Sequence, residues 1–157
     1  LSQFAAAVVI SYLGLLAGFI LASLTKEELP TATRFFPWLQ RLAIITIAVF
    51  ALDFLSVGIA IRVLAYAAVL LLIAVSLSMP YIYAILGVVA FFVSASQNAL
   101  LVLSSLVFLF GLVSGSIYFE KTVKRKADFT GKAIEMLVNN SFYPAVAIVI
   151  YFASVYV

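Results

Sequence analysis

The chain has 157 residues, of which 67% are hydrophobic, with nine Lys/Arg against six Asp/Glu, a formal net charge of +3 and a mean hydropathy of +1.29. Soluble domains average about 45–50% apolar and about 25% charged residues. A soluble fold of this size has too few polar groups here to cover its surface, which excludes a soluble enzyme, a nucleic-acid module and a disordered chain.

The fold class expected is all-α: a polytopic membrane protein with a single domain over residues 1–157 and six transmembrane helices. The chain has no Cys and no His. Disulfides, zinc thiolates, thiol nucleophiles, His-ligated haem and Ser-His triads are therefore out of reach. No cofactor, metal or nucleic acid is expected.

A crossing helix needs about 20 apolar residues. The first such run, residues 4–24, contains no charge. It is too long, and lacks the basic leader, for a cleaved signal peptide. The loop 25–38 follows, with Pro30 and Pro37 preventing a continuous helix. Phe35, Phe36 and Trp38 stand beside Arg34 and Arg41, the pairing of rings and cations that the headgroup layer favours. The second span is 39–55. Ser56-Val57-Gly58 is the only turn-like punctuation before the third, 59–77, whose first turn carries Arg62. Ser78-Met79-Pro80 precedes the fourth span, 81–95. The polar link Ser96-Gln97-Asn98 leads into the fifth, 99–119. The charged loop 120–132 precedes the sixth span, 133–157, which Asn139-Asn140-Ser141 and Pro144 interrupt.

Orientation follows from the cations. Lys26, Arg34, Arg41, Lys121, Lys124, Arg125, Lys126 and Lys132 fall on one side of this topology, and only Arg62 falls on the other. The loops 25–38 and 120–132 are therefore expected in the cytoplasm, with both termini outside. Compactness suggests a prokaryotic plasma membrane. Lys121, Lys124, Arg125 and Lys126 are expected to be a solvated positive-inside element, with attraction of anionic lipid as a further expected role.

Two pairs of small residues stand four apart: Gly14 and Gly18 in the first span, Gly111 and Gly115 in the fifth. Such pairs let helices approach closely in lipid. Both spans run in the same direction in the topology above, so the pairs lie at matched depth. They are expected either to meet each other or to form a homodimer.

Few polar residues interrupt the apolar runs. Asp53 is the one acid inside such a run, where a charge costs about 2.5–3.5 kcal/mol at the helix centre on insertion scales. Two readings stand for it: an ion or proton site, or a salt bridge to Arg62 that pins the hairpin of spans two and three. Asn139 and Asn140, near Pro144, suit either a locally unwound helix lining a binding site or an interhelical hydrogen bond. Gln97 and Asn98 make an outer polar link.

No nucleophile–base set, paired carboxylates or metal ligands are visible, so no catalytic residue is assigned. The leading expectation is a transporter or channel-like subunit for a small solute or ion. The alternative is a non-catalytic assembly subunit of a membrane complex, with a homo-oligomer or a membrane partner at its lateral surface. An intramembrane lipid-acting enzyme ranks last.

Overall fold

The computed structural model describes residues 2–25, 27, 34–56, 58–74, 78–123 and 129–155. Lys26, Glu28, Pro30, Lys124, Arg125, Lys126 and Asp128, and with them most of the expected lipid patch, lie outside the described residues. The described chain is all-helical: α1 Ser2–Leu24, α2 Phe36–Phe54, α3 Ile59–Ala74, α4 Met79–Val93, α5 Gln97–Val123, α6 Phe129–Asn139 and α7 Phe142–Val155. Four stretches are long and apolar enough to cross a membrane: Gln3–Leu24, Phe36–Phe54, Gln97–Thr122 and Phe129–Ser154. Two shorter apolar helices accompany them.

The helix ends follow backbone chemistry more than hydropathy. α2 begins three residues before the expected position 39, and α4 two before 81, because Pro37 and Pro80 sit in their first turns. There a missing N–H costs nothing. α5 extends past 119 to Val123, and α6 begins at Phe129 rather than 133, so both flanks of the expected loop 120–132 are helical. A helix does not stop where the apolar run stops: Glu120 and Lys121 are good helix formers, and Lys132 pairs with Glu135 one turn on, at 2.6 Å. α2 ends at Phe54 and α3 begins at Ile59, with Leu55 and Ser56 in a turn, as expected, and Ser56 at a φ of 49°. The sixth run breaks at Asn140 and Ser141. Pro144 lies in the first turn of α7, where it fits.

Side-chain contacts set the relative directions. Ser116 Oγ donates to the Gly18 carbonyl at 3.0 Å, and a Cβ at Gly14 would meet Phe108, so α1 and α5 run parallel. Tyr83 faces Tyr143, and Gly87 abuts Tyr143 and Ala147, so α4 and α7 also run parallel. α1 is antiparallel to α6 and α7: Phe19 meets Phe129, Ser11 meets Tyr143 and Phe4 stacks on Tyr151. The core sits between α1, α4, α5 and α7, around Val8, Leu15, Phe19, Tyr83, Val107, Phe110 and Tyr143.

Candidate functional site

Small residues on facing helices decide where this bundle closes. An added Cβ at Gly18 would lie 1.9 Å from the Leu112 carbonyl oxygen, and one at Gly115 2.0 Å from that of Leu15. At Gly14 it would lie 2.3 Å from the Phe108 oxygen, and at Gly111 2.8 Å from the Leu15 nitrogen. No side chain other than hydrogen fits at these four positions without moving a backbone.

The opposite flank is open. Along α2, Ile44, Ile47, Ala48, Ala51, Leu52 and Leu55 repeat at three- and four-residue steps, which puts them on one face. Ile82, Leu86 and Val89 do the same on α4, and Ala65 and Val69 on α3. These faces enclose a cavity of about 690 Å³, within the usual range for small-molecule pockets of about 300–1,000 Å³. Two causes leave it unfilled. Ala48, Ala51 and Ala65 supply little volume, and α3 stands off from the core: none of its described side chains is buried.

The groove is polar at one end. Gln40 and Arg41 from the start of α2 and Glu120 and Lys121 from the end of α5 line it there, beside Ser78. Gln40 Nε2 donates to Ser114 Oγ at 3.0 Å and approaches the Met79 sulfur at 3.4 Å, tying α2, α4 and α5 together at this mouth. The Arg41 guanidinium lies 5.7 Å from the centre of the Trp38 ring, the only tryptophan in the chain.

Asp53 and Arg62 are brought together outside the groove. Arg62 Nη1 donates to Asp53 Oδ1 at 2.8 Å across the α2–α3 turn. The carboxylate side chain is 59% exposed, so this is a surface pair at a hairpin end, the geometry of the pinning alternative. Asn139 is exposed and Asn140 is buried at the helix break. Asn140 Nδ2 donates to the Met136 carbonyl at 2.8 Å, while its Oδ1 has no partner among the described residues. Gln97 and Asn98 are exposed at the start of α5. The structure does not join these residues into one site: Asp53 and Arg62 close one hairpin, and Asn140 packs on α6.

A buried hydroxyl layer was not anticipated. Ser11 Oγ and Tyr143 Oη share a hydrogen bond of 2.7 Å, and Tyr12 Oη donates to the Leu137 carbonyl in the last turns of α6. Tyr83 Oη is buried without a hydrogen-bond partner among the described residues, with Ser114 nearby. Tyr12, Tyr83 and Tyr143 sit with ring centres 6.2–6.4 Å apart. Their spacing in the sequence carries no motif: Tyr12 lies in the middle of its apolar run, while Tyr83 and Tyr143 fall in the first two turns of α4 and α7.

Among the described residues no group of three or more acidic side chains is placed to hold a metal. No family model matches the chain, and neither a curated protein nor a solved structure shows significant similarity to it.

Proposed function

We propose that this is a six-crossing integral membrane protein of the transporter or carrier type, which takes a small membrane-soluble solute into the groove between α2, α3 and α4. In this reading α3 and α4 are short crossings, α6 and α7 are the two halves of a broken sixth, and the basic loops face the cytoplasm of a prokaryotic cell with both termini outside. The relative helix directions support that alternation. The observation that carries the function is the groove itself: about 690 Å³, apolar along its length and polar at one end. A pocket that is apolar and carries a few convergent polar groups is the ordinary form of a small-molecule site.

The test uses a long-chain alcohol bearing a photoreactive diazirine, added to the purified protein in neutral detergent. Crosslinks are expected within residues 44–52 and 82–89, and Ala48→Phe with Ala65→Phe should reduce them severalfold while leaving the protein folded. Labelling confined to outward positions such as Leu101 and Leu109 would remove the groove from consideration.

The exposure of α3 favours a second reading, an assembly subunit whose partner covers that helix. Because the chain contains no Cys, Leu64→Cys provides a single thiol on its exposed face. Efficient oxidative disulfide crosslinking between two copies of this variant in membranes, with no groove labelling, is the outcome that reading expects where the partner is a second copy of the chain.

A further inference from the structure

We infer that the occupant of the groove is an anionic membrane lipid, with an acyl chain along α2 and α4 and its phosphate at Arg41 and Lys121. This rests on the reading of the groove as a solute site and adds the chemical class of the solute.

Three observations carry it. The first is length. Beyond the polar mouth the apolar lining of α2 runs from Ile44 to Leu55, which at 1.5 Å per residue is about 17 Å, close to the half of the roughly 30 Å hydrocarbon core that one leaflet supplies. A groove of that extent matches a chain lying along the membrane normal better than a compact solute. The second is charge. The mouth holds two cations, Arg41 and Lys121, against one carboxylate, Glu120, so it is net positive. Both cations are exposed at the surface, and the guanidinium is held over the Trp38 ring. The third is depth. Arg41 and Lys121 stand at the end of the bundle that joins the basic loops, where the proposed topology places the cytoplasmic leaflet and its anionic headgroups. An arginine offers a planar fork of donors to a phosphate, and a lysine adds a compact second charge.

The experiment compares two photoreactive lipids in vesicles: phosphatidylglycerol and phosphatidylcholine, each with a diazirine in one chain. Both should label residues 44–52 and 82–89, with the anionic lipid favoured severalfold. Arg41→Gln and Lys121→Gln should each lower that preference about fivefold at most, and 0.5 M salt should lower it in the wild type. Thermal unfolding in detergent establishes that the variants fold, since neither side chain is buried. Equal labelling of the groove by both lipids would overturn the headgroup assignment and leave the groove a solute site. Absence of groove labelling by either lipid would overturn both readings. A preference that persists when Arg41→Gln and Lys121→Gln are combined would place the anion elsewhere on the basic face and defeat the inference.

Discussion

α1 with α5, and α2 with α3, are two pairs of apolar helices treated in opposite ways. In the first pair the backbones close until a methyl group has no room, and Ser116 reaches across to the Gly18 carbonyl. In the second the partners touch near their turn and one exposed ion pair, and a cavity opens beside them. Hydropathy does not separate the two, since both pairs are apolar and in the proposed membrane setting lipid would solvate both. Without a hydrophobic driving force between helices, close packing must come from dispersion contacts over complementary surfaces. Glycines four apart on both partners provide that complementarity. α3 offers a bulky outward face instead: Ile59, Ile61, Val63 and Leu64 are all exposed.

The sharpest way to break this contrast is to add volume to the closed pair. Gly115→Ala is expected to cost about 3 kcal/mol, read by detergent-denaturant unfolding, because its Cβ would lie 2.0 Å from the Leu15 oxygen. Gly14→Ala and Gly111→Ala should each destabilise, and their combined loss should fall short of the sum by about 0.5 kcal/mol or more. Once the helices separate for one methyl, the second finds space. Strict additivity would mean that the two glycines do not face a common gap.

Next in size is the hydroxyl contact that fastens α7 to α1. A double-mutant cycle with Ser11→Ala and Tyr143→Phe should give a coupling of about 0.6 kcal/mol, the mean for interhelical hydrogen bonds in lipid, and no more than about 1.7 kcal/mol. A coupling indistinguishable from zero would leave ring packing alone at that junction.

On the loose side the effects should be small. Asp53→Asn is expected to lose less than about 1 kcal/mol, and the loss should shrink further in high salt. A loss of several kcal/mol would reveal a desolvated carboxylate and revive the ion-site reading. Gly58→Ala should stay within about 0.5 kcal/mol of wild type, since its Cβ would meet nothing within 4 Å. The same substitution at Gly58 and at Gly115 thus measures the difference between the two flanks directly.

Much of this was legible in the sequence. Charge-free runs mark the helices, Gly58 marks the turn, and Asn139-Asn140-Ser141 with Pro144 marks the break to within a few residues, because each acts through local backbone chemistry. The glycine pairs of α1 and α5 were visible because both partners carry the spacing. Gly87 was not: its partners on α7, Tyr143 and Ala147, are not small-residue pairs, so nothing on either helix announces the contact. The groove was hidden for a different reason. It is made by Ala48, Ala51 and Ala65 together with the stand-off of α3, and alanines in apolar runs look alike whether they pack or leave a space. Of the expected polar residues, Asp53 could be matched to Arg62 from the chain alone, since they are nine positions apart across a turn. The Tyr83 and Tyr143 contact joins residues from distant helices and needed the fold.

The parallel pairing of α1 and α5 also has a temporal side. Gly18 and Ser116 are 98 residues apart, so at about 5–20 residues per second of synthesis the first helix waits roughly 5–20 s for its tightest neighbour to emerge. In the proposed membrane setting its Gly14 and Gly18 face lipid or the insertion machinery through that interval. Closure of the α1–α5 pair is thereby tied to the arrival of the fifth helix, and the core is complete only when Tyr143 and Ala147 of α7 follow.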